Sequence, residues 1–182
     1  SKLSEIIEHT IYYSADKIQG GVPIQRWELA EGEERNFKDF FAALESAHVD
    51  NIVIKDPYCG AGDTQRTYLL EMLKILAGLA AMIKCVTIHC REQNFKDPRY
   101  MASYKVKELI NGSILETFPA VKSFVHVHSF KTSRVFHDRT IDFHIVDADG
   151  CAVTHRYDLS GGIDFLMDKK SATKIYRYQI EN

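Results

Sequence analysis

Residues 51–90 read NIVIKDPYCGAGDTQRTYLLEMLKILAGLAAMIKCVTIHC, and the fold turns on this stretch. Ile52, Val53 and Ile54 form a short β-branched run that Pro57 ends, which predicts a strand. A loop with Gly60 and Gly62 follows. From about Thr64 to Ile83 the chain reads as a long helix, apolar around most of its girth and therefore heavily buried. KCVTIHC, residues 84–90, is the next predicted strand. A strand, a helix and a strand in so short a span form a right-handed crossover unit whose two strands run parallel.

Outward from this unit the pattern continues and then changes. SYKVKELINGSILETF, residues 103–118, reads as a second crossover helix, and SFVHVHSF, residues 123–130, as a third parallel strand. The segment RTIDFHIVDADGCAVTHRYDL, residues 139–159, is different: two alternating runs meet at Asp147-Ala148-Asp149-Gly150, a strong hairpin signal. TKIYRYQI, residues 173–180, is the expected last strand. Upstream, Phe37, Phe40, Phe41 and Leu44 fall at i, i+3, i+4, i+7 and predict an amphipathic helix over Glu34 to Ala47. Before it lie two short strand-like runs, TIYYS and IQRWEL, separated by Gly20-Gly21 and Pro23. The reading is an N-terminal arm over 1–34 and one α/β domain over 35–182. That domain is a mixed sheet with a parallel core flanked by helices and a C-terminal β-hairpin.

The chain has 182 residues, 45% of them apolar and 26% charged, ordinary for one globular domain with a core of its own. Its formal net charge of −2 rules out whole-chain attraction to nucleic acid or to a membrane surface. A local basic face would have to do that work. Lys131, Arg134, Arg139, His155 and Arg156 fall close together in sequence, with Lys169, Lys170, Lys174 and Arg177 downstream, while Glu28, Glu31, Glu33 and Glu34 crowd the front. Such a distribution allows a basic C-terminal half; a solvated charged surface is the plainer account. Cys59, Cys85, Cys90 and Cys151 match no zinc-ribbon spacing, so free thiols are expected. No signal-type apolar run opens the chain, and the apolar stretch from Tyr68 to Ile83 is too short to span a bilayer. A cytoplasmic setting is the expectation, with peripheral membrane contact allowed. The first residue is Ser rather than Met, which suggests a piece of a longer protein.

The chemistry centres on RVFHDRTIDFHIVDADG, residues 134–150. In the phospholipase D superfamily a His, a spacer, a Lys, four spacers and an Asp form the signature. The His attacks phosphorus, the Lys holds the phosphate oxygens and the Asp supports a histidine. Here the same count gives His137, then Arg139 for the Lys, then His144 for the Asp. Arginine can hold phosphate, since its fork binds two oxygens at once. Asp142 comes two residues early, on the strand face that His144 shares.

NIVIKDPY with Gln65 after it, KCVTIHC, FHDRTIDF and LSGGIDFL occur in that order along the chain. This ordered set resembles the phospholipase-D-like C-terminal domain of MIT-domain (microtubule-interacting and trafficking) proteins. The matching positions are Asp56, Pro57, Tyr58, Gln65, His137, Asp138, Arg139, Gly162, Ile163 and Asp164, and the resemblance runs from about Phe37 to Tyr178. It implies a single phospholipase-D-like lobe without the full catalytic signature. It also implies a dimeric, membrane-associated domain that recognises acidic lipids. No MIT helical bundle is visible in the first residues. VDADGCAVTHRYD, residues 146–158, replaces an aromatic-containing turn of the family.

Each singled-out group also has a structural reading. His137 and Arg139 suit a polar strand end paired with Asp138 or Asp142. His126 and His128 alternate with Phe124 and Phe130 and read as half-buried strand histidines rather than metal ligands, which would need further partners. Asp56 can cap the turn through Pro57, Gly161-Gly162 can let backbone pass close, and Cys59 has no basic neighbour in sequence to activate it. The functional expectation is a non-catalytic module binding phosphate-bearing ligands, acidic membrane headgroups above all. Its ligand-binding residues are Asp56, Tyr58, Gln65, His137, Arg139, His155, Gly162 and Asp164, with no cofactor and no metal. One alternative is a dimeric phosphodiesterase or nuclease with His137 as nucleophile, for which nucleic acid is the partner. Another is a protein-interaction domain of a larger ATPase or trafficking protein.

Overall fold

The computed structural model describes residues 22–129 and 138–181. The predicted run TIYYS and most of the FHDR motif's upstream flank, including Lys131, Arg134 and His137, lie outside the described residues. In chain order the elements are β1 (Gln25–Leu29), α1 (Phe37–Phe40), a 3-10 turn (Ala42–Leu44) and β2 (His48–Lys55). Then come α2 (Asp63–Leu79), β3 (Met82–Ile83), β4 (Cys85–Arg91), α3 (Ser103–Thr117) and β5 (Lys122–His128). The chain closes with β6 (Thr140–Val146), β7 (Ala152–Leu159), α4 (Gly162–Met167) and β8 (Thr173–Glu181).

The strands form one mixed sheet in the order β1-β8-β7-β6-β2-β4-β5, with β3 pairing on β2. β2, β4 and β5 are parallel, as the crossover reading requires, and β6, β7, β8 and β1 are antiparallel. The two crossovers advance in the same direction across the sheet, so their right-handedness places α2 and α3 on one face. That face is the core. Ile52 and Ile54 of β2, Val86 and Ile88 of β4, Val125 of β5, and Ile141 and Phe143 of β6 are all buried there. α2 meets them with Leu69, Met72, Leu73 and Leu76, a stripe at helical spacing. Tyr157 is buried among Phe41 and Phe143, and its hydroxyl donates to the Phe40 carbonyl at 2.7 Å.

Three elements differ from the sequence reading. The helix expected over 34–47 is four residues of α-helix and a 3-10 turn, because the backbone leaves helical geometry at Phe41. The apolar side chains still point inward: Phe40, Phe41 and Leu44 are buried. The long helix stops at Leu79, and Met82-Ile83 join β2 as a short parallel strand, so strand pairing wins over an apolar sequence that suits either state. Part of the stretch read as an arm, Gln25–Leu29, is the edge strand beside β8. The hairpin forms where expected. Asp147 Oδ1 accepts from the Asp149 and Cys151 amides, and Gly150 supplies the left-handed residue at φ +78°.

Candidate functional site

Where β2 ends, Asp56 begins a tight turn. Its amide still donates to the His89 carbonyl of β4 at 3.0 Å, so the turn starts as a continuation of the parallel ladder. Its side chain then does two jobs. Oδ1 accepts from the Tyr58 amide at 2.9 Å, an Asx turn across Pro57. Oδ2 accepts from the Ile163 amide at 2.9 Å, which fastens the loop after β7 to the end of β2. The carboxylate is only 4% exposed. Burial pushes its pKa up, while the Ile163 and Tyr58 amides and the charge of Arg139 act against that rise.

Tyr58 is held at the rim of this turn with 42% of its surface exposed. Two guanidinium groups approach its ring: Arg91 from the end of β4, at 4.9 Å from the centroid, and Arg139 from the start of β6, at 5.3 Å. Arg139 reaches this place because β6 runs antiparallel to β2 and Thr140 pairs with Lys55. Its Nη1 donates to the Ser160 carbonyl at 3.3 Å, and its own carbonyl accepts from the Leu159 amide at 2.9 Å. Gly162 sits at φ +69° between the two. On the far side Gln65, in the first turns of α2, donates to Asp164 Oδ2 at 3.4 Å. Burial raises the Asp164 pKa, with Asp168 adding to the rise and Gln65 and Arg139 opposing it.

Asp56, Tyr58, Gln65, Arg139, Gly162 and Asp164 thus gather at the carboxyl ends of the parallel strands, where open α/β sheets hold their ligands. The arrangement presents cationic forks on an aromatic platform, backed by the buried Asp56 and half-buried Asp164 carboxylates that tie the loops. Guanidinium groups so placed can take the oxygens of a phosphate group. His155 does not join them. It lies within β7 opposite Phe143, and its Nδ1 accepts from Arg177 Nη1 at 3.1 Å. Burial, then the Arg177 charge, lowers its pKa.

One other pairing differs from the sequence reading. Among the described residues Asp142 pairs with Arg156 rather than Arg139: Arg156 holds it from the adjacent strand through two bonds of 2.8 Å. His144 bonds Thr154 Oγ1 at 2.8 Å in mid-sheet. Two of the downstream cations have acidic partners. Lys169 pairs with Glu34 and Lys174 approaches Glu28 at 4.0 Å, because β1 and β8 bring the acidic front of the chain onto its basic end.

Arg91 escaped the sequence reading, although its place one residue past the predicted strand KCVTIHC marks it as a cation at a strand's carboxyl end. His89 escaped with it, and it stacks on His126 at 4.8 Å and on His128 at 5.1 Å between centroids. Among the described residues no group of three or more side chains gathers as a metal site. All four cysteines are free thiols. Cys59 is buried, and its hydrogen bond with Cys90 and its burial raise its pKa well above the ordinary thiol value, so it stays protonated and is a poor nucleophile. No described helix is long and apolar enough to cross a membrane.

Compared with known proteins, the chain matches no family model and no curated protein sequence.

Proposed function

We propose that the chain is a phospholipase-D-like module that binds phosphate-bearing ligands without cleaving them, its ligands the anionic headgroups of a membrane surface. The observation that carries this reading is the pair of guanidinium groups, Arg91 and Arg139, on the ring of Tyr58. The two guanidinium groups meet at one exposed aromatic rim, where the oxygens of a single phosphate group could bridge them. The Arg139 fork meets Ser160 through Nη1 alone among its described hydrogen bonds. Binding without cleavage follows from His144, which stands where the hydrolases keep a carboxylate and spends its Nδ1 on Thr154. The ordered motif set quoted above supports the same family, and with it a two-fold dimer.

Co-sedimentation with phosphatidylserine-containing vesicles, beside phosphatidylcholine vesicles and a phosphodiesterase assay, tests the reading. Retention on the anionic vesicles with no turnover is the expected result. Turnover that His137→Ala abolishes would replace it with the phosphodiesterase alternative. Light scattering at tens of micromolar checks the dimer.

A further inference from the structure

The face of the sheet opposite the helices carries a group of imidazoles that the phosphate site does not use. Lys55, His89 and His126 lie side by side on β2, β4 and β5, in register across the strands. Two residues further along, Arg91 is in register with His128. Neighbouring strands lie about 4.8 Å apart, so these side chains form one contiguous patch. Arg91 belongs to both places: it lies two residues from His89 on the same strand face, and its guanidinium reaches the Tyr58 ring.

The rings of His126 and His128 stack on that of His89 with interplanar angles of 17° and 25°. Stacked rings do not converge their lone pairs on one point, so the group suits proton binding better than metal binding. His89 Nδ1 and His128 Nε2 are 2.9 Å apart, a contact that needs one proton between two nitrogens. A second proton would set two N–H donors against each other, unless an acceptor comes between or beside them.

We infer that the His89–His126–His128 group, with Lys55 and Arg91, extends the phosphate site onto this face, and that phosphodiester binding there tightens as the imidazoles take up protons. The inference rests on the phosphate-binding reading above. Without a ligand His89 and His128 resist protonation. Burial, then His126, His128 and Lys55, hold His89 down at about 4, and burial, His126 and Lys55 lower His128. Among the described residues the charged groups facing the patch are Lys55 from β2, Arg91 from β4 and the imidazoles of β5. Beyond Lys55 the row continues through uncharged Thr140 to Asp158, two strands away. Glu92, next along from Arg91, accepts from Ser103 of α3 at 3.2 Å. An anion seated on the patch reverses the repulsion and raises the imidazole pKa values. Linkage then requires protons to raise anion affinity by the same factor. An imidazole held at about 4 whose pKa rises by about two units on binding contributes about tenfold by pH 5.

The test uses a phosphodiester, whose charge is constant over the range where histidine titrates. Binding of the full chain to phosphatidylglycerol vesicles and to soluble glycerophosphoglycerol is measured at constant ionic strength from about pH 7.5 to about pH 5. Wild type should gain about tenfold in affinity as the pH falls. The His89→Gln, His128→Gln double variant should lose most of that slope, while Arg139→Ala should weaken binding at every pH and keep it. A gain in both arms assigns the effect to the phosphodiester itself, and a gain on vesicles alone assigns it to the membrane surface. Should the histidine variant fold poorly, imidazole NMR titration of wild type with and without glycerophosphoglycerol or vesicles replaces it, with upward pKa shifts expected on binding. Binding that is flat with pH, an equal slope in the variant, or unmoved imidazole pKa values would overturn this inference and leave the phosphate-binding reading standing. Absence of binding at every pH would remove both.

Discussion

A Cβ added to Gly162 would lie 2.6 Å from Asp56 Oδ2 and 3.3 Å from Arg139 Cδ. Gly162 also sits at φ +69°, which L side chains rarely adopt. The carboxylate cannot move aside without giving up the Ile163 amide, and that bond ties β7's loop to β2. Gly162→Ala should therefore lower stability by at least about 2 kcal/mol, combining backbone strain with a lost bond to a buried charged group. Gly150→Ala has a similar φ of +78° but nothing within 4 Å, so it should cost about 1 kcal/mol from the backbone alone. Denaturant midpoints for the two variants check the difference, and equal losses would show that the Asp56 contact has no energetic weight.

Arg139→Ala should weaken binding to anionic vesicles by about 1.5–3 kcal/mol, the scale of a hydrogen bond to a charged group. Arg139→Lys should fall between wild type and Ala, because an ammonium cannot reproduce the fork. Arg177→Ala should cost less and act mainly on salt dependence, since its described partners are His155 and Gln25, away from the rim. Melting temperatures should remain close to wild type in all three.

Tyr58→Ala should remove the platform under two guanidinium groups at once. Each cation–π contact at such an exposed ring is worth about 0.5–1 kcal/mol. The turn itself should survive, because Asp56 bonds the backbone amide of residue 58 rather than its side chain. Vesicle binding should drop by less than in Arg139→Ala, and Tyr58→Phe, which keeps the ring, should bind like wild type. A Phe variant as weak as the Ala variant would assign the effect to the hydroxyl.

Stability should fall with acidification through the histidine group. His89 titrates near 6.5 in the unfolded chain and at about 4 in the fold, so its neutral form is the folded one. Its contribution is complete above about pH 6.5 and is lost as the pH falls toward 4. The full shift would be worth about 3 kcal/mol, and half-burial with solvent screening reduces that to about 1–2 kcal/mol. Urea unfolding at about pH 7 and about pH 4.5 measures the loss, and His89→Gln should make it smaller. A saturating phosphodiester should also make it smaller, by stabilising the protonated ring.

Much of the architecture was legible locally. β-branched runs at Ile52–Ile54, the helical stripe from Leu69 to Leu76 and the Asp149-Gly150 turn each carry their signal within a few residues, where side-chain period and backbone preference act. The resemblance carried by the ordered motifs, rather than any periodicity, named Asp56, Tyr58, Gln65, Arg139, Gly162 and Asp164 as candidates. What it could not supply was their neighbours. Asp142 chose Arg156 over Arg139 because two antiparallel strands set them opposite one another. His155 turned away from the rim because of its register against Phe143. Glu34 and Glu28 met Lys169 and Lys174 only because β1 closes onto β8 from the other end of the chain. Arg91 and the His89 group became visible as parts of one surface only when β4 and β5 aligned. Periodicity is a property of the chain and can be read along it. The pairing of charges separated by more than a hundred residues is set by strand order and register, and those are decided by how the whole core packs.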